Sequence, residues 1–236
     1  MKKKIIAMIP ARFGSQRLKL KNLALLNKKP LVWHVINQAK KSKIFDKIVL
    51  NSDSLLFQKI ANENKIDFFH RKKMLANSKA KSDDVVKNFL ENYDCDIIVW
   101  LNPICPLQSS IEIKKITKYF IKSDLNSLIT TAKNQSHSIY KGKPINYKIS
   151  EKFQQTQNLE PVYTMVYSIM MWKSKTFMKS MKKTGNAILH GKVGYFPVSK
   201  ESSLMIKTKE DLVMAQLMLN IKNKKKFDLK YYLDAK

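Results

Sequence analysis

The sequence predicts a doubly wound α/β fold, an open and mostly parallel sheet with helices on both faces, and three observations carry that prediction. Short apolar runs of strand length recur along the chain: Ile5-Ile6-Ala7-Met8-Ile9, Ile48-Val49-Leu50 and Ile97-Ile98-Val99-Trp100-Leu101. They are apolar throughout rather than alternating, as strands covered on both faces are. The runs empty into polar loops and alternate with segments of helical periodicity, so strand–loop–helix recurs. At 236 residues and 44% hydrophobic content, the chain fits one domain with a sizeable core.

The first strand stops at Pro10, which cannot donate to a sheet ladder. From Arg12 to Lys21 follow one glycine (Gly14), the hydroxyl of Ser15 and four basic side chains. Such a loop at a strand end suits phosphate: backbone N–H groups and Ser15 bond its oxygens, while Arg12, Arg17 and Lys21 neutralise charge. The competing reading is an ordinary basic loop in a lysine-rich chain. Pro30 suits the first turn of a helix, and Leu31, His34, Val35, Gln38 and Ala39 share one stripe of it. His34 is then a partly buried helix residue rather than a catalyst. Residues 47–53 read as a strand ending in Asn51-Ser52-Asp53, and 55–64 as a helix. Asp53 either caps that helix or faces a ligand, capping being the commoner role. A loop from Arg71 leads into a helix capped by Ser82 or Asp83. Residues 96–101 form the next buried strand and end in Asn102-Pro103-Ile104-Cys105-Pro106-Leu107-Gln108. The two prolines hold this loop extended just past a strand end, where α/β folds place ligands. Helix 111–121, strands 127–132, 166–170 and 193–198 and helix 211–219 complete the order, and the basic tail 222–236 reads as a final helix or strand.

A formal net charge of +27 raises the question of nucleic acid. Only Arg12, Arg17 and Arg71 are arginines, and the lysines are scattered without an aromatic-interleaved patch. No specific nucleic-acid partner is therefore expected, only non-specific attraction at low salt. Cys95 and Cys105 give neither a disulfide framework nor metal spacing, and four scattered histidines give no zinc pattern. No run has the length of a membrane span or a signal-peptide core, so a cytoplasmic protein without a membrane partner is expected.

The first loop, Pro10-Ala11-Arg12-Phe13-Gly14-Ser15 followed by Lys21-Asn22, resembles the nucleotide-binding loop of the sugar-activating cytidylyltransferases. The similarity is greatest to the CMP-acylneuraminate synthetases and relatives acting on other nine-carbon acidic sugars. The loop lacks the Gly-Lys-Ser/Thr of ATPases and the Gly-x-Gly-x-x-Gly of dinucleotide turns. Later stretches resemble the family in the same order, over roughly residues 4 to 220. Arg71 to Val86 resembles Arg-Pro-x-x-Leu-Ala…Ser-x-Asp-Val, with Lys72 at the proline. Asn102 to Gln108 resembles Gln-Pro-Thr-Ser-Pro-Leu-Arg. Gln157 to Tyr163 resembles Gln-x-Leu-Pro-x-x-Tyr.

The resemblance implies one nucleotidyltransferase, Rossmann-like domain over residues 1–236, with a small sugar-binding and dimerisation lobe at about 133–180 and a homodimeric state. The implied reaction is attack of a sugar's anomeric hydroxyl on the α-phosphorus of CTP, releasing pyrophosphate and giving a CMP-sugar for polysaccharide biosynthesis. On that likeness Arg12, Gly14, Ser15 and Lys21 hold phosphates, and Asn22, Arg71 and Ser82 hold the nucleoside. Asn102, Gln157 and Tyr163 meet the acidic sugar. Relatives read Asp-Ile-Asp-Thr-x-x-Asp-Leu near the end, where the first two aspartates hold Mg²⁺ against the triphosphate. Here Met205 and Lys207 stand in their places, while Asp211 sits at a helix start where capping explains it. No residue is therefore assigned as a metal ligand. Mg²⁺ accompanies CTP on its phosphates, and Lys207 joins Arg12 and Lys21 as a catalytic cation replacing part of its charge. Other departures are Cys105 for Ser, Gln108 for Arg, and Thr156 for the arginine that grips the sugar carboxylate, which leaves Lys133, Lys141 or Lys148 as candidates for that task. A catalytically impaired sugar-nucleotide-binding or interaction homologue, and a Kdo-type cytidylyltransferase, are the alternatives.

Overall fold

The computed structural model describes residues 2–15 and 17–223. The chain enters through strand β1 (Ile5–Pro10), whose interior side chains are all buried. Ile5, Ala7 and Ile9 join one core cluster and Ile6 and Met8 another, on opposite faces. A strand with apolar partners on both sides has no use for alternation, which is why it reads as a continuous apolar run. Two short strands, β2 (Leu25–Leu26) and β3 (Lys29–Pro30), make a small hairpin before helix α1 (Leu31–Ser42). There follow β4 (Lys47–Ser52), α2 (Leu56–Glu63), β5 (Asp67–His70), α3 (Ser82–Leu90), β6 (Ile97–Leu101), α4 (Ser110–Lys122) and β7 (Ser127–Asn134). A second small hairpin, β8 (Ile139–Tyr140) and β9 (Lys143–Pro144), precedes β10 (Val162–Lys173) and α5 (Ser174–Thr184). The chain closes through β11 (Val193–Val198), a single-turn α6 (Lys200–Ser203) and α7 (Lys209–Asn223).

Seven strands form one sheet in the order β11-β7-β10-β6-β1-β4-β5. β10 runs antiparallel to both neighbours, and the other pairings are parallel. Helices α1, α2 and α4 cover one face through Val32, Ile36, Phe57, Ile113, Ile116 and Phe120. Helices α3 and α5 cover the other through Val85, Phe89 and Phe177. The expected doubly wound, mostly parallel architecture is thus the observed one. A third cluster packs Ala215 of α7 and Ile206 against Leu26, Leu31 and Leu107, tying the end of the described chain to the loops after β1 and β6.

Some elements differ from expectation. β5 and α5 fall where none was expected, and β10 runs longer than the apolar stretch 166–170. Its register against β7 shifts between Met165 and Met170, and buried Thr130 fills that irregularity by bonding the Val166 and Ile169 carbonyls. Of the stretch 133–180, residues from Val162 onward belong to the sheet and its covering helix, leaving β8, β9 and a 3-10 turn at Thr156–Asn158 outside it. Neither Ser82 nor Asp83 caps α3: Lys81 is its N-cap, and the Asp83 carboxylate accepts from the backbone N–H groups of Ala187 and Ile188 at 2.6 and 3.1 Å. The tail beyond residue 223, read as a helix or strand, lies outside the described residues.

Candidate active site

A cleft of about 220 Å³ opens at the carboxyl ends of β1 and β6, on the side of α3. Pro10 ends β1 and points the chain into it, because a proline terminates the ladder at that position. Arg12, Ser15, Lys21 and Asn22 line its wall from the first loop. Arg71 enters after β5, Ser82 and Val85 from the first turns of α3, and Trp100, Asn102 and Ile104 from the end of β6.

The first loop is braced from three sides. The Ala11 amide donates to the Asn51 carbonyl at 2.9 Å, and the Phe13 amide to the Asp53 carboxylate at 2.9 Å. The Asn22 side-chain amide, nearly fully buried, donates to the Arg12 carbonyl at 3.0 Å. Asp53 therefore neither caps α2, whose N-cap is Leu55, nor lines the cleft; it holds the loop. Across the cleft, Asn77 folds its own turn by accepting from the amides of Lys79 and Ala80 at 2.8 and 2.9 Å. Its carbonyl lies 3.4 Å from an Arg12 guanidinium nitrogen.

The cleft is electropositive and desolvated. Burial pushes the Lys21 ammonium below its ordinary value, with Arg17 and Arg12 adding repulsion and Cys105 and Asp211 opposing. Burial likewise brings the Arg71 guanidinium down to about 10, against the favourable field of Asp53, and it stays protonated at neutral pH. Arg71 is only 4% exposed, and its Nε has no hydrogen-bond partner among the described residues. A buried Arg71 with half-buried Arg12 and Lys21 around a polar cleft is arranged for an anion with oxygen acceptors.

Behind the cleft, burial pushes the Cys105 thiol up to about 12, with Lys21 and Lys207 both acting to lower it. The thiol is thus no nucleophile at neutral pH. Gln108 turns away from the cleft: its amide donates to the Glu112 carboxylate at 2.7 Å, and Glu112 also accepts from the Ser199 amide at 2.7 Å and the Ser202 hydroxyl. This knot fixes the loop after β6 to α6.

Of the residues singled out from sequence, Arg12, Ser15, Lys21, Asn22, Arg71, Ser82 and Asn102 come together around one cleft. Gly14 lies in the same loop but does not line the cleft, and neither does Lys207, which follows the Ile206 amide bonded to the Ile104 carbonyl at 2.7 Å and donates its own amide to Asp211. Gln157 and Tyr163 are exposed and away from the cleft, the first in the 3-10 turn and the second on β10 opposite Lys133. Sequence reasoning missed Leu75, Asn77, Val85 and Trp100 as cleft residues. The apolar ones gave no signal distinguishable from core.

Magnesium takes oxygen ligands in an octahedron. Among the described residues no three His, Cys, Asp or Glu side chains cluster in a way that would hold a metal ion. The carboxylates closest to the loops are committed to backbone amides: Asp53 to Phe13, and Asp211 to Lys207 and Thr208 at 2.7 and 2.8 Å. The residues present do not fit a protein-held magnesium.

A family model described as Cytidylyltransferase matches residues 6–211. The chain belongs to the cytidylyltransferase family. The N-acylneuraminate cytidylyltransferase of Streptococcus agalactiae serotype V is 30% identical over 219 residues, covering 89% of this chain and 52% of that protein. The pseudaminic acid cytidylyltransferase of Campylobacter jejuni serotype O:2 is 30% identical over 161 residues, covering 66% of this chain and 65% of its own. The chain spans about half the length of the first of these curated relatives. Among solved structures, a CMP:2-keto-3-deoxy-manno-octonic acid synthetase complexed with CTP superposes with a TM-score of 0.70 at 13% identity, covering 93% of this chain and 99% of that one. At that identity the match speaks for the fold alone, the mostly parallel sheet with helices on both faces.

Proposed function

We propose that this family member transfers a cytidylyl group from CTP to an acidic nine-carbon sugar of the sialic or pseudaminic type, giving a CMP-sugar and pyrophosphate. The observation that carries the reading is the convergence of Arg12, Ser15, Lys21, Arg71 and Ser82 on one cleft at the strand ends. The names of the relatives supply the substrate class. In the reaction the sugar's anomeric oxygen bonds to the α-phosphorus, the bond to the bridging oxygen of pyrophosphate breaks, and the hydroxyl proton is lost to solvent. The protein's part is positioning and charge neutralisation. Arg12 and Lys21, with the Ser15 hydroxyl, hold the phosphates. Asn22 keeps the loop closed by its bond to Arg12, and Arg71 and Ser82 border the nucleoside. Asn102 stands at the strand end where the sugar's hydroxyl approaches. Lys207, whose charge is felt at Cys105, adds positive charge to a site where no metal-holding cluster of side chains occurs among the described residues.

The sugar carboxylate needs a cation. Lys148 is engaged by Glu151 at 2.7 Å and the Lys141 ammonium lies over the Tyr140 ring, which favours Lys133, the neighbour of Tyr163 across β7 and β10. Exposed Ile139, Tyr140, Ile145, Ile149, Phe153 and Tyr167 around that segment support a homodimer, in which Gln157 and Tyr163 would meet substrate from the partner's side.

A second reading, a sugar-nucleotide-binding homologue without turnover, is favoured by Met205 and Lys207 and by the commitment of Asp211 to backbone amides. Pyrophosphate release with CTP and N-acetylneuraminic or pseudaminic acid separates the two. Turnover dependent on both substrates and lost in Arg12→Ala supports the transferase; CTP binding without release with either sugar supports the second reading.

A further inference from the structure

Trp100 stands near the end of β6 with its ring on the α3 side of the sheet, 8% exposed, and it lines the cleft beside Ser82 and Val85. Trp172 packs edge-on against it, with ring centroids 6.5 Å apart, which fixes the ring's orientation. The two indoles differ in one respect. Trp172 donates its N–H to the Ile188 carbonyl at 2.9 Å, whereas the Trp100 N–H has no partner among the described residues. A buried tryptophan N–H ordinarily finds an acceptor, because leaving one desolvated and unpaired is costly. The Arg71 Nε, equally buried in the same cleft, is also unpaired.

Two unpaired donors on residues that line one cleft call for a ligand that brings acceptors. We infer that Trp100 is a specificity-determining residue of this cleft, its indole N–H donating to the acceptor edge of the pyrimidine base. The inference rests on the CTP reading above and deepens it. Cytosine presents its C2 carbonyl and N3 as adjacent acceptors, a match for donors that carry no acceptor of their own. Leu75 and Val85 supply the apolar walls a planar base needs. An indole is a donor only, so this position rejects a base that turns a donor toward it.

The test is Trp100→Phe, which keeps an aromatic ring and removes the N–H, measured by calorimetry with CTP and CMP. Each should bind roughly fivefold more weakly, by the same factor, with an unchanged salt dependence because a neutral donor is lost. In ¹⁵N-labelled wild-type protein the Trp100 indole resonance should also move on adding CTP, a readout that a purely structural role would not shift. Should the variant fail to fold, Trp33→Phe assigns the half-buried Trp33 indole and Trp172→Phe the bonded one, which leaves the Trp100 signal identified. Wild-type protein that prefers CTP while Trp100→Phe binds it equally well, or whose Trp100 resonance stays put, overturns this inference alone. Wild-type protein with no preference for CTP over ATP overturns the CTP reading and this inference with it.

Discussion

Lys21 is held in its charged form against burial and against Arg17 and Arg12, so its proton is bound less tightly than in an unfolded chain. Keeping it protonated costs folding stability at neutral pH, and that cost is relieved as pH rises through the depressed value, below the ordinary 10.5. A bound triphosphate works in the opposite direction, because an anion beside the ammonium raises its pKa. CTP affinity should therefore fall as pH rises through the alkaline range, and binding there should take up a proton, seen as a dependence of the calorimetric heat on the buffer's ionisation enthalpy. Lys21→Ala removes the dependence and weakens CTP binding about tenfold or more. Asp53→Ala, which frees the Phe13 amide, should weaken CTP binding by a smaller factor, since it loosens the loop without removing a phosphate contact. At this scale the sequence displayed the polar half of the site well. Arg12, Ser15 and Lys21 stand in a loop whose composition already suits phosphate. Trp100 was silent, because a tryptophan in an apolar strand looks like core until the structure shows an N–H with no partner.

Helix α7 begins with a reciprocal pair: the Thr208 amide donates to the Asp211 carboxylate at 2.8 Å, and the Asp211 amide points back to the Thr208 hydroxyl at 3.4 Å. This is a capping box, and it accounts for Asp211 without a metal. Although burial opposes it, the amides of Lys207 and Thr208 hold the Asp211 carboxyl below its ordinary value, so the cap persists until strongly acid pH. Asp211→Ala should cost about 1 kcal/mol in the free energy of unfolding, read from a urea titration, with faster hydrogen exchange in the first turn of α7. The helices with clear apolar stripes, α1 and α4, were legible from periodicity. α5 was not, because eight of its eleven residues are Ser, Thr or Lys and few apolar contacts, chiefly Phe177, hold it down. β5 is four residues long, too short for any period to register. The Asp83 carboxylate reads as a cap from local sequence, and only the tertiary approach of residues 187–188 recruits it elsewhere.

For the whole molecule, a charge of +27 is a field as well as a composition. Polyanions of any kind should bind at low ionic strength and release as salt rises, whereas specific CTP binding should survive at moderate salt. The exposed apolar side chains between β7 and β10 predict a dimer by sedimentation equilibrium, dissociated by a charged substitution such as Phe153→Asp with little change in the melting of the monomer. The doubly wound core was legible because both faces of its sheet are covered. The segment 135–161 was not, because most of its side chains lie at the surface and give no burial pattern. The cleft at the ends of β1 and β6 is proposed as a cytidine triphosphate site whose charge is met by side chains. Calorimetry of the full chain with CTP and ATP at moderate salt, with magnesium and then with a chelator, tests it most directly. CTP should be favoured over ATP by about tenfold or more, and the chelator should change the CTP affinity little. Equal affinities for the two nucleotides, or CTP binding abolished by the chelator, would contradict it.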